Sequence, residues 1–281
     1  MAAVRLLKIA AGLIWIYSYA TLGVMLAIAA LPGFALAMWG WGLQVMPGSR
    51  WGAVLDPLVG IYFSILGFFL FGIALMFVLP GIRWLFLLLT GGKLRPHVGA
   101  IPVHSFAIFP WYNENGMQFM FNTVFGRFAR LTSLYPVYLR MMGAKIGRDA
   151  VVNTQHIYDL DIIEIGDKTI IGANASILGH VGQGGKLLRQ PVRIGSHCTI
   201  GQYANIFPGV TMGDHCYVGA MSLVPKGMVL DSHSVYTGVP VKKVRSLKPG
   251  EKVSSDEVSA TSGVPAEDET QAAEPPAGGA D

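Results

Sequence analysis

From residue 194 to residue 239 apolar and polar positions recur with a strict period of six. Ile194, Ile200, Ile206, Met212, Val218, Val224 and Leu230 each open a unit, and Tyr236 takes the next place. Gly follows the opener at 195, 201, 213 and 219. A small or slim side chain sits four places after the opener at Cys198, Ala204, Val210, Cys216, Ser222 and Ser234. Self-similarity at a fixed period marks a stacked repeat, and six is the period of a parallel β-helix. Each unit then gives one short strand and one turn, three units close a triangular coil, and coils stack at about 4.8 Å. The opener fills the interior, Gly permits the corner, and the small residue tucks in beside it. Earlier units fit at Ile146, Val152, Ile165, Ile171 and Ile177. The count fails twice. Its phase slips by one across 153–164, which predicts a bulged coil, and 17 residues separate Ile177 from Ile194. A loop therefore leaves the prism between Val181 and Pro191, and loops ejected from a rigid repeat are where sites are built.

The N-terminal pattern is different. No charged residue lies between Lys8 and Arg50, or between Asp56 and Arg83. Roughly 20 apolar residues cross a bilayer, so residues 9–31 and 55–79 each predict a transmembrane helix, ended by Pro32 and Pro80. The first run is too long for a signal-peptide core. Trp39, Trp41 and Trp51 in the link suit the headgroup belt, and basic residues flank the pair at Arg5, Lys8, Arg83, Lys93 and Arg95. Both ends are thereby expected in the cytoplasm. Residues 82–89 are too short to cross again and predict an interfacial or re-entrant segment, completing an anchor over 1–96. Residues 97–142 predict a helical linker in which Phe119, Val124 and Phe128 lie near one another, away from Arg127 and Arg130. Such a helix either lies on an anionic membrane or packs on the end of the β-helix or on another protomer.

Composition sharpens this division. The chain is 52% hydrophobic and 14% charged, unlike an average soluble domain. Eight of its 17 acidic residues lie in 248–281, a Pro-, Gly- and Ala-rich tail without aromatic residues that is expected to stay disordered. The formal net charge of +4 therefore hides a clearly basic remainder, which suits lipid headgroups or a phosphate-bearing cofactor. No nucleic-acid motif appears. Two cysteines, Cys198 and Cys216, argue against a disulfide framework. They are 18 residues apart, one whole coil, and read as stacked packing residues.

VRIGSHCTIGQYANIFPGVTMGDHCYVGAMSLVPKGMVLDSHSVYTGVPVKKV is similar to the C-terminal half of hexapeptide-repeat acyltransferases. TSLYPVYLRMMGAKIGRDAVVNTQHIYDLDIIEIGDKTIIGANASILGH resembles the membrane-anchored β-helix domains of Pls-type nonribosomal peptide synthetases. The resemblance covers about 132–247. It implies an all-β left-handed parallel β-helix over 143–247, working as a homotrimer and taking acetyl-CoA or another acyl-CoA as donor, with no metal. The expected activity is O- or N-acyl transfer to a membrane lipid or lipid-linked acceptor, at a bacterial inner membrane with the β-helix on the cytoplasmic side. Hydroxyl and amine acceptors, and CoA and carrier-protein donors, stay open.

The family's general base is a histidine on the turn before the extruded loop, and His180 in ILGH matches it. A near-neutral imidazole takes the proton of an acceptor as it attacks a thioester. The resemblance also implies an Asn or acidic group one coil earlier. Asn153 is the candidate to bind the acceptor, while His156, Asp159 and Asp161 share its bulged region. Asp159 or Asp161 would orient an imidazole, or would only stabilise the bulge. His197, His215 and His233, spaced by 18, form a ladder of turn residues. For the CoA arm the matching small-residue column is Gly201, Gln202, Gly219, Ala220 and Gly238, and Lys242 and Lys243 are matched to its phosphate. Corner packing explains the same glycines. Two other classes remain: a non-catalytic β-helix scaffolding a membrane synthase, and a γ-carbonic-anhydrase-like zinc enzyme, disfavoured because no second histidine follows His180 at the needed spacing.

Overall fold

A computed structural model describes residues 20, 23, 24, 26–44, 46–93, 95–248, 251 and 253. The start of the first expected span and nearly all of the acidic tail lie outside the described residues.

Two apolar helices come first. Helix α1 spans Leu26–Gly42 and α2 spans Gly52–Leu89. Neither proline ends its helix. Pro32 lies within α1, and both Pro57 and Pro80 lie within α2. The expected break at Pro80 and the separate segment at 82–89 are therefore one continuous helix of 38 residues. Proline is tolerated inside a helix where neighbouring helices cover it, and Pro80 is buried. Among the described residues α2 is the one helix long and apolar enough to cross a membrane. The tip of the hairpin is tied by the Trp41 indole N–H, which donates to Ser64 Oγ at 3.0 Å.

The linker folds as α3 (Phe109–Phe121), a π-helical turn (Asn122–Gly126), a short α4 (Arg127–Ala129) and α5 (Leu134–Met141). Its buried face is not the expected one. Phe119 and Phe128 are exposed, whereas Met117, Phe121, Phe125 and Ala129 are buried at helical spacing. They pack with Leu75, Met76 and Leu79 of α2, with Tyr135, Tyr138 and Leu139 of α5, and with the first coil of the prism. The buried face of this segment therefore packs on α2 and the end of the β-helix.

The prism has three parallel faces. Its strand openers are buried, from Ile146 to Tyr236, and so are the small residues beside them. Register follows the period of 18 where the repeat is unbroken, Ile200 pairing with Val218 and Val218 with Tyr236, and Ile171 pairs with Ile200 across the ejected segment. The corner glycines serve a purpose other than a positive φ. The left-handed conformation falls two residues later, on His197, Tyr203, His215, Met221 and His233. A Cβ at Gly201 would instead stand 2.4 Å from the Ala220 nitrogen of the next coil, so stacking distance excludes any side chain there. Cys198 and Cys216 are buried and free, as their spacing predicts. A hydrogen bond with Cys216, and burial, hold the Cys198 thiol well above its ordinary range. The histidine ladder is also present, with rings stacked at 4.7 and 4.6 Å.

Both failures of the repeat appear where they are expected. The bulged coil contains a 3-10 turn at Leu160–Ile162, preceded by Asp159 at φ +61°. The ejected segment is a β-hairpin of His180–Gln183 and Lys186–Arg189, closed by Gly184 and Gly185, both at positive φ. Two such residues give the tight turn whose twist suits a hairpin. The outer strand pairs antiparallel with Gly99–Pro102, so the segment after the apolar helices clamps the loop.

Candidate functional site

His180 is the first residue of the ejected hairpin and faces Arg189, its cross-strand partner. Its Nδ1 lies 2.5 Å from Asp159 Oδ2, and its side chain keeps 24% of its surface exposed. Asp159 is buried and holds three further contacts. The Trp111 indole N–H donates to Oδ1 at 2.7 Å, Arg189 Nε donates to the same oxygen at 3.1 Å, and its own backbone N–H reaches Asn115 Oδ1 at 3.3 Å. Burial pushes the Asp159 carboxyl up, but the hydrogen bond and charge of His180, then those of Arg189, outweigh it and hold the group below its usual value. An ionised Asp159 receives the Nδ1–H of His180, which fixes the tautomer and leaves Nε2 with its lone pair. The geometry is that of an oriented base. Trp111 also walls it, edge-on at 4.9 Å between ring centroids.

Arg189 is fully buried and closes the cluster. Its Nη2 donates to Asp161 Oδ1 at 2.6 Å and its Nη1 to the His97 carbonyl at 3.0 Å. Asp161 thus orients the arginine and leaves the imidazole to Asp159. Burial raises the Asp161 carboxyl. Beyond it, Glu114 pairs with Arg83 of α2 at 3.1 Å. Burial, only partly offset by Arg83, pushes Glu114 from 4.5 to about 7.

The raised Glu114 carries a stability signature. An acid whose folded pKa is raised binds its proton more tightly when folded, so its contribution is full below 4.5 and is lost as pH rises through about 7. The melting temperature should fall between about pH 5 and about pH 7.5 by more in the native chain than in Glu114→Gln. Identical slopes in a thermal-melt series would contradict this.

The other expected residues are distributed as follows. Asn153 is half-buried at the start of the bulge, its backbone N–H on the Ile171 carbonyl at 3.0 Å, and no side-chain hydrogen bond joins it to the dyad. Gly201, Gln202, Gly219, Ala220 and Gly238 do stack along one corner, but on the opposite edge of the Ser176–Ile177, Asn205–Ile206 and Leu223–Val224 face from His180. One chain does not bring that column to the base. Lys243 is paired with Asp231 at 3.0 Å, while Lys242 is exposed and has no acidic partner among the described residues. The described residues gather no group of three metal-ligating side chains.

Trp111, Glu114 and Asn115 were not visible from spacing, because they reach the bulge from more than 40 positions away in the chain. One signal was present: Asn113-Glu114-Asn115 is a polar run inside an otherwise aromatic helix, FPWYNENGMQFMF.

Comparison with known proteins agrees with the repeat. Residues 191–220 match the family model described as the hexapeptide repeat of succinyl-transferase. The resemblance to hexapeptide-repeat acyltransferases holds. A curated relative is the delta-poly-L-ornithine synthetase of Acinetobacter baumannii (strain AB307-0294), 22% identical over 175 residues, covering 61% of this chain and 12% of that protein. The chain therefore spans a small part of the relative's length. Among solved structures, a maltose O-acetyltransferase from Clostridium difficile 630 aligns over 53% of this chain and 94% of its own at 21% identity, with TM-score 0.41. A hexapeptide-repeat acetyltransferase from Vibrio cholerae aligns over 53% and 96% at 20% identity, with TM-score 0.40.

Proposed function

We propose that this chain, built on the repeat of the hexapeptide acyltransferases, is a membrane-anchored acyltransferase that moves an acyl group from acyl-CoA to a hydroxyl or amine of a membrane-associated acceptor. The observation that carries the reading is the His180–Asp159 pair at the foot of the ejected hairpin. Nε2 of His180 would take the proton of the acceptor as its oxygen or nitrogen attacks the thioester carbonyl. The C–S bond then breaks and CoA leaves as a thiolate, which recovers the proton from the imidazolium. Asp159 would stabilise that imidazolium, and Trp111 and Arg189 would hold Asp159 in place.

The donor arm would lie along the Gly201–Gly238 corner, with Lys242, which has no acidic partner among the described residues, at its end. Since one chain holds base and column on different edges, the reading includes a homotrimer in which a neighbouring copy supplies the column. Asn153, on the bulged coil, would bind the acceptor. The anchor is assigned to α1 and the first half of α2, whose side chains ahead of Gly72 are mostly exposed and apolar. The second half of α2 is covered by α3 and α5. Positive residues after α2 support a prism on the cytoplasmic side of a bacterial inner membrane, where acyl-CoA is found.

Purified chain given acetyl-CoA together with total membrane lipid should release CoA thiol several times faster than with acetyl-CoA alone. Equal rates would contradict a membrane acceptor.

A further inference from the structure

Beside the dyad lies a cleft of about 310 Å³ between the π turn and the bulged coil. One wall carries Asn122, Thr123 and Arg127, and the other Gln155, His156 and Tyr158. Ile157 is buried and bridges to Ile177, which turns His156 and Tyr158 outwards on either side of it. Two features mark the cleft as a binding site. Its lining contains two basic side chains and no acid, and neither Arg127 nor His156 has an acidic partner among the described residues. The wall is built by a π turn, a strained form of helix that recurs at functional sites.

The cleft opens towards both partners of the reaction proposed above. Tyr158 is shared with the base, its ring 6.4 Å from that of His180. Phe128, next to Arg127, rests edge-on against Phe68 and Phe69 of α2 at 5.4 and 5.8 Å. The cationic wall therefore adjoins the apolar helix assigned to the membrane.

We propose that this cleft holds a phosphate-bearing polar group of the acceptor, with Arg127 and His156 as the anion-holding side chains. A phosphate in a site without carboxylates gains attraction from the Arg127 guanidinium, which offers it two parallel N–H donors, and a hydrogen bond from the His156 imidazole. The contact between Phe128 and α2 points to a lipid headgroup, and a soluble phosphate ester shares the same chemistry. The proposal rests on the acyltransferase reading for its role in turnover, but binding can be tested apart from it.

The test is calorimetric titration of the full chain in detergent micelles with three probes. These are dioctanoyl phosphatidylglycerol, dioctanoylglycerol (the same tails without phosphate) and glycerol 3-phosphate (phosphate without tails). The phospholipid should bind at least about tenfold more tightly than dioctanoylglycerol, and Arg127→Ala should weaken it by about tenfold. Arg130→Ala, a cation outside the cleft, should not. His156→Ala, on the opposite wall, should show a loss of similar size and keeps the test alive if Arg127→Ala does not fold. Equal binding of dioctanoylglycerol, or equal losses at Arg127 and Arg130, would overturn the subsite. Glycerol 3-phosphate binding as tightly as the lipid, with the same Arg127 dependence, would overturn the lipid source and assign a soluble ester. Phospholipid binding by a native chain that turns over no acyl-CoA would leave the subsite standing and sink the catalytic reading instead.

Discussion

Replacing His180 with alanine should slow acyl transfer by about a thousandfold, within the span a positioned general base contributes. The loss should appear in kcat, because the imidazole acts on the proton and does not hold the donor. Asp159→Asn should lose activity as well while keeping the fold, since an amide in place of the carboxylate no longer fixes the Nδ1–H tautomer or stabilises the imidazolium. The pairing of these variants separates the two classes left open by the repeat. Product formation retained in His180→Ala would sink the enzyme reading and leave a non-catalytic β-helix scaffold.

Arg189→Met should be among the most damaging substitutions for stability. The guanidinium is fully buried and bonded to Asp159, Asp161 and the His97 carbonyl. Methionine fills much of the volume but leaves two carboxylates without their cation. Removing one member of a buried ionic group costs about 3–5 kcal/mol, mostly through the charge left unpaired. A large drop in denaturation midpoint is expected, with faster hydrogen exchange over 159–163 and 180–189. An unchanged midpoint would mean that Arg189 contributes nothing net to the cluster. Asp159→Asn combined with Arg189→Met should lose less than the two single losses together, because the residues share one network.

The parts of this molecule that were legible in the sequence are those governed by a local period. The openers from Ile146 to Tyr236 face inwards because every coil imposes the same geometry on them. The two miscounts were equally readable, since an extra residue or a long gap has to leave the stack somewhere. His180 came from its match to the base of the family the chain resembles, and it stands beside the second miscount. Asp159 followed only halfway: its place in a bulge was visible, its direction was not, because a coil that breaks phase no longer says which way a side chain points. The structure resolves it through an αL backbone at Asp159 that aims the carboxylate at His180.

Long-range contributions were illegible for a different reason. Trp111 and Asn115 meet Asp159 because α3 is pinned between α2 and the prism, a packing that has no repeat to announce it. Arg189 lies in the ejected segment without any motif to single it out, and its strand is held by pairing with Gly99–Pro102. The apolar helices misled at Pro32 and Pro80 because helix-ending rules come from water-exposed helices, whereas here neighbouring helices or an apolar medium cover the chain. Glycine misled more subtly. The residue type was right at Gly201, but the cause is contact with the next coil and not the turn itself.

The central claim is that His180 drives acyl transfer from a CoA thioester to a membrane acceptor. The most direct measurement follows radiolabel from acetyl-CoA into extracted lipid when native and His180→Ala chains are reconstituted with total membrane lipid. The account predicts labelled lipid from the native chain and almost none from the variant. Equal labelling by both, or no label in lipid with either, would contradict it.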